Sequence, residues 1–237
     1  MRTAQGDIKR TELGMLAEEL AFIKATQEYP DLDGKQWERI YANSVGASYS
    51  PSNRKVIDIE KGKVGFSIKT IKSTKKLEDL SMIRIIQCRP DPRLIKIGNW
   101  QQNPQEVGHR IINDWNFQVS KLEEDFDVLK EVVLIRAQDF NSFCLCQYDV
   151  KRLNKADYYW KWNKRGNLEG FSHDEAHRFT WQPGGSQWTI KKTIPDSKQI
   201  IKFDKQLKHE FKPKRKILEL LGWSHLDLPQ WQNHSEG

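Results

Sequence analysis

The chain has 237 residues, with 39 Lys plus Arg against 32 Asp plus Glu and a formal net charge of +7. That length buries a full core, and the basic excess favours a polyanionic partner. No segment approaches the roughly 20 apolar residues of a membrane span. The start, Met1-Arg-Thr-Ala-Gln-Gly-Asp, has no apolar signal region, so a cytoplasmic location is expected, and three cysteines do not make a disulfide framework.

In chain order, Arg10 to Glu28 reads as an amphipathic helix, with Leu13, Leu16, Leu20 and Ile23 at helical spacing. An Asp/Gly loop follows near 30–35, then a short helix over 35–43 and a Gly/Ser/Asn/Pro loop from Ser44 to Asn53. Val56 to Ile71 reads as two strands joined by a tight turn. Alternation puts Ile57, Ile59, Val64, Phe66 and Ile68 on one side, and Asp58, Glu60, Ser67 and Lys69 on the other. A two-residue turn at Lys61-Gly62 and a four-residue turn from Lys61 to Val64 are both open, and the second sets Asp58 opposite Ser67. Either register gathers a carboxylate and a lysine at one point. Phosphodiester hydrolysis uses that pair, a carboxylate to hold a divalent cation and an ammonium to activate water or steady developing charge.

Asp58, eight intervening residues and Ser67-Ile68-Lys69 resemble the PD-(D/E)xK motif of nucleases, best known from type II restriction endonucleases. The resemblance covers roughly residues 10 to 150. It implies a Mg²⁺ site, with Asp58 as metal ligand and Lys69 at the attacking water. Ile57 stands where the motif has proline, and Ser67 where it has an acidic residue. A replacement carboxylate is therefore expected from Glu60, from Glu18 or Glu19, or from Glu78 or Asp79. Gly14-Met-Leu-Ala-Glu18 is similar to the G-x-x-x-E opening helix of many of these nucleases, which favours Glu18. Helical periodicity favours Glu19, among Met15, Leu16, Phe22 and Ile23. The alternative is a solvated pair of glutamates at a helix edge.

Lys69 to Lys76 is a run of Lys, Thr and Ser in which Lys72 and Lys75 are candidate phosphate contacts. Met82 to Cys88 reads as a buried third strand. Glu106 to Glu124 reads as a second amphipathic helix presenting Val107, Ile111, Trp115 and Val119 or Leu122. Val128 to Ala137 and Ser142 to Val150 read as two more strands, the latter with Cys144 and Cys146 packed in the core. The order implies an α/β (α+β) fold with a mixed central sheet flanked by helices.

From Asp157 to Ile194 aromatics interleave with cations. Lys161, Asn163, Lys164, Arg165, Asn167, Arg178, Gln182 and Gln187 supply the chemistry of phosphate contact and base-edge reading, and Gly184-Gly185 permits a tight turn. A β-meander whose tryptophans form a core is compatible with this. His173 and His177 lack the order of a helical zinc motif and read as a surface turn. No Gly-rich phosphate loop appears, so no nucleotide cofactor is expected. Phe211 to Lys216 reads as a basic helix start.

These expectations divide the chain into a nuclease core (1–150), an aromatic and basic DNA-recognition region (151–227) and a polar tail (228–237). They describe a Mg²⁺-dependent, site-specific endonuclease acting on double-stranded DNA as a homodimer. The rivals are a DNA-binding protein with a decayed nuclease core and a repair nuclease that reads DNA structure.

Overall fold

The computed structural model describes residues 6–27, 30–49 and 56–203. The expected basic helix start at 211–216 and the polar tail lie outside the described residues. Helix α1 spans Arg10–Thr26, and its entry is tied by Lys9 N–H donating to Glu12 Oε2 at 2.8 Å. Helix α2 spans Gly34–Val45, capped by Asp33, which accepts from Gln36 N–H, and ended by Gly46 at φ +64°. Strand β1 is Ser48–Tyr49, β2 Ile59–Lys61, β3 Val64–Ser73 and β4 Met82–Cys88. The short α3, Pro92–Ile95, precedes α4, Pro104–Glu123. Strands β5 (Val128–Ala137), β6 (Ser142–Asp149), β7 (Tyr158–Trp162), β8 (Leu168–Ser172), β9 (His177–Gln182), β10 (Gln187–Thr193) and β11 (Gln199–Lys202) complete the chain.

Two sheets result. The first is mixed, ordered β1-β2-β3-β5-β6-β11, with β3 and β5 parallel. The second is antiparallel, ordered β4-β10-β9-β8-β7. The class is mixed α+β, as the order of elements implied. Residues Val64 to Ile68 of β3 are buried on both faces, which fits a central strand with a parallel neighbour.

One face of the first sheet carries Ile59, Phe66, Ile68, Val132, Leu134 and Leu145 and is covered by α1 and α2 through Leu16, Leu20, Trp37 and Tyr41. On the other face, Val133, Ile135, Cys144 and Cys146 pack on Ile83 and Ile85 of β4. Helix α4 packs Val107, Ile111 and Trp115 against Leu129 of β5 and Trp160, Phe179, Trp181 and Trp188 of the second sheet. Thus the second face is covered by a sheet as well as a helix, where helices on both sides were expected. Strand β4 is half-buried rather than fully buried, with Met82 and Ile86 facing outward.

The expected division near residue 150 is crossed twice. Strand β4 pairs with β10 in the second sheet, and β11 returns to pair with β6 in the first.

Candidate active site

The hairpin of β2 and β3 pairs Lys61 with Val64, Glu60 with Gly65 and Ile59 with Phe66. That is the register of the turn from Lys61 to Val64. Gly62 takes φ +59° in the turn, a conformation glycine adopts without steric cost. The ladder stops one residue short of Asp58. Asp58 N–H donates to Phe66 O at 2.9 Å, so the chain bends away instead of pairing with Ser67. The bend sends the Asp58 carboxylate to the edge of β3, where Oδ2 accepts from Ile68 N–H at 2.7 Å. Lys69 Nζ lies 3.5 Å from the same oxygen. Both side chains are about a quarter exposed, so the pair is anchored and open to solvent.

Ser67 sits beside Glu131, its partner on parallel strand β5. Adjacent strands run about 4.8 Å apart, so their side chains rise from one face as neighbours. Glu131 has no solvent exposure and Ser67 almost none. Ser67 Oγ and Glu131 Oε1 have no hydrogen-bond partner in the protein. Glu131 Oε2 is held by Lys192 Nζ of β10, which also lies 4.8 Å from the centre of the Tyr148 ring. Pattern reading missed Glu131. The available signal was a glutamate inside the apolar run of β5, since a carboxylate buried there needs a cation or donors.

The expected helix carboxylates do not join this site. Helix α1 covers the Phe66–Ile68 face, opposite Ser67 and Lys69, and Glu18 and Glu19 are exposed. Met15 and Phe22, expected to surround Glu19, are also largely exposed. Instead Glu12 reaches the hairpin from α1, pairing with Lys61 at 3.0 Å. Glu78 pairs with Lys202, whose strand meets the start of β6, the opposite end of the sheet from Tyr148 and Glu131, and Asp79 is exposed beside it. Glu60 lies on the Ser67 face, displaced along the strand by two residues, about 7 Å.

Glu38, unforeseen, is buried on α2 and bonded to Lys35 Nζ at 2.9 Å. That bond, then the Glu38 charge and more distantly Asp58, raise the Lys35 pKa. Asp58 and Glu38 therefore share one ammonium's field.

Among the described residues no three Asp, Glu, His or Cys side chains converge into a metal cage. Mg²⁺ commonly uses one or two carboxylates and keeps several waters. Asp58, Glu131 and the unpartnered Ser67 hydroxyl offer hard oxygens of the right kind for such an ion.

The proposed recognition residues separate into two groups. Lys164 and Arg165 are exposed at the β7–β8 turn, and Gln182 and Gln187 pair at the base of the β9–β10 turn. In an antiparallel meander these alternate turns share one end of the sheet. Cys88, paired with Trp188 next to Gln187, lies within reach of the Lys69 charge. Burial pushes its thiol up to about 12, Asp114 adds to that shift, and Lys69 opposes it.

The other candidates are engaged or turned away. Asn163 closes its own turn: Oδ1 accepts from Arg165 N–H and Asn167 N–H, and Nδ2 donates to Glu169. Its acceptor capacity is spent, so it does not read bases. Asn167 donates its backbone N–H within that same turn. Arg178, at the far end of β9 from the β9–β10 turn, donates to Ser172 Oγ and Asp174 and keeps further N–H donors. Lys161 lies over the Phe171 ring at 4.2 Å. Alternation along β3 turns Lys72 to the α1–α2 face, away from Lys69, while Lys75 is exposed beyond the strand. His173 bonds Ala156 O in a turn and His177 lies on β9, so they do not share a helix face.

No family model matches the chain, and no curated protein or solved structure matches it. Among the described residues no helix is long and apolar enough to cross a membrane.

Proposed function

We propose that this protein is a Mg²⁺-dependent endonuclease that cuts double-stranded DNA at a specific sequence. The observation that carries the reading is the meeting of Lys69 with Asp58 on one hairpin, with Ser67 two residues before Lys69 on β3 and Glu131 paired with Ser67 from β5, each with an unpartnered oxygen. This resembles a PD-(D/E)xK site in which the carboxylate missing at position 67 comes from the neighbouring strand. A bound Mg²⁺ would supply Lewis-acid polarisation of the scissile phosphate and of water. Asp58 and Glu131 would hold it, with the Ser67 hydroxyl facing the same ion. Asp58 keeps its orientation through the Ile68 N–H bond, so its free oxygen is available for coordination. Lys69 Nζ orients the attacking water and opposes charge developing on phosphorus.

Lys164 and Arg165 lie on a turn, and Gln182 and Gln187 at strand ends, at one end of the second sheet. Their chemistry suits phosphate contact and adenine or guanine recognition. One catalytic site per chain and two strands of opposite polarity favour a homodimer on a palindromic target. The decayed-core reading has the Ser67 substitution in its favour.

The deciding experiment is incubation of the purified protein with plasmid and phage DNA, with Mg²⁺ or with EDTA. Discrete fragments that need the metal are expected. Absence of cutting alongside tight duplex binding would replace this reading with a DNA-binding protein that has lost its catalytic site.

A further inference from the structure

A cleft of about 460 Å³ opens beside α4, lined by the end of β6 and by residues of the second sheet. Trp115, Tyr158 and Phe179 form apolar wall; Gln87 and Arg178 bring polar groups to it, and the lining carboxylates Asp149 and Asp157 are already partnered, by Lys130 and Lys151 and by Asn154. Gln87 is the unusual member. It is 5% exposed, and neither its carboxamide oxygen nor its nitrogen has a partner in the protein. Burying an unpartnered amide is costly, and a methionine or leucine would fill the same inward position on β4 without that cost. An amide kept in a cleft of this size therefore points to a ligand with a matching donor and acceptor.

The carboxamide presents one donor and one acceptor side by side, the complement of the adenine edge at N6 and N7. The aromatic walls suit a flat ring. Arg178 spends part of its guanidinium on Ser172 and Asp174, and retains further N–H donors for an anion.

We propose that this cleft is a nucleotide site that takes one adenine base against Gln87 and the attached phosphate against Arg178. The proposal does not rest on the cleavage reading. A free nucleotide and a base turned out of a strand share this chemistry.

The test is calorimetric titration of the full chain with dAMP, dGMP, dCMP and dTMP, and with inorganic phosphate. A parallel titration uses a single-stranded oligonucleotide in which 2-aminopurine lies next to a single adenine, read by the fluorescence rise when that adenine unstacks. Saturable dAMP binding is expected, preferred over the other three nucleotides. Gln87→Met is expected to weaken it at least about tenfold, the loss of a good bidentate base contact. Arg178→Gln is expected to weaken dAMP and phosphate binding alike. A Gln87-dependent fluorescence change in the oligonucleotide identifies a strand base as the source; dAMP binding without that change identifies a free nucleotide. Gln87→Leu repeats the measurement if the methionine variant fails to fold. Absence of Gln87-dependent binding in both titrations overturns the proposal. So does phosphate binding as tight as dAMP binding, which would leave only an anion site.

Discussion

Ser67 and Glu131 stand side by side on parallel strands, each with a buried oxygen that no protein group satisfies. On the nuclease reading, Glu131 would supply from the neighbouring strand the carboxylate that position 67 lacks. The nuclease reading depends on that compensation. If it holds, Glu131→Gln should reduce cleavage by at least about a hundredfold, the scale of removing one preorganised charge at a reacting phosphate. DNA binding should persist, as a filter-binding assay in Ca²⁺ would register. Ser67→Asp placed in the Glu131→Gln background should restore part of the activity. Failure of the second substitution to restore any cutting would argue against a shared metal position.

Lys69 and Asp58 are predicted to matter for chemistry more than for stability. The pair is partly solvated, and exposed ion pairs contribute about 1 kcal/mol or less. Lys69→Ala should therefore leave the melting temperature nearly unchanged while abolishing metal-dependent cleavage and sparing DNA binding. Wild-type cleavage by this variant would remove Lys69 from the mechanism.

The turn residues should behave differently from one another. Replacing Lys164 and Arg165 with Ala should weaken binding to all duplexes and make the salt dependence shallower, by about 0.9 in slope for each phosphate no longer neutralised. Replacing Gln187 should weaken binding to the target alone. Asn163→Ala should act through stability, because it unties the turn that presents Lys164 and Arg165. Competition binding at two salt concentrations separates the three effects.

Acid should loosen the second sheet through His177. Its pKa is lowered below 6.5, chiefly by burial, with the nearby Lys191 charge acting in the same sense against a raising hydrogen bond to Phe179 O. The unfolded chain therefore binds the proton more readily than the folded one. The contribution to stability is full above about pH 6.5 and is lost as pH falls through the window beneath it. Thermal melts between pH 7.5 and 5.5 should show a declining midpoint, and His177→Gln should flatten that decline.

A methyl group at Gly108 should be poorly tolerated. A Cβ built there would fall within the Trp160 ring, and Trp160 is itself wedged against Gly170 and Phe179. Gly108→Ala should cost about 3 kcal/mol by overpacking, visible as a lower denaturant midpoint at unchanged slope. At this glycine α4 lies directly against Trp160 of the second sheet, so the same change should also disturb the neighbouring cleft.

Local pattern carried much of the fold. Helical spacing of Val107, Ile111, Trp115 and Val119 located α4, and the alternation around Phe66 and Ile68 gave the hairpin and its face. Asp58 and Lys69 were legible because a hairpin brings residues eleven apart together through local geometry alone. Glu131 was not, because its place beside Ser67 depends on a parallel pairing made across the intervening β4 and α4. Alternation could not say that β4 would leave the first sheet either. Its sequence, Met-Ile-Arg-Ile-Ile-Gln-Cys, serves an inner strand of one sheet as well as an edge strand of another. Glu38 was hidden for a related reason: α2 is short, and its burial beside Trp37 and Tyr41 follows from docking onto β3.

The pairing of β4 with β10 also governs the order in which this molecule can assemble. Thr189 meets Ile86 across roughly a hundred positions of chain. During synthesis β4 must wait, with its backbone edge unpaired, until the whole meander has emerged. Closing so long a loop is slow relative to forming the hairpins inside it. The chain is then most vulnerable to aggregation between completion of the first sheet's β3, β5 and β6 and arrival of β10. Slow translation or a holding chaperone over that interval should raise the yield of soluble protein, while separate expression of the two halves should not.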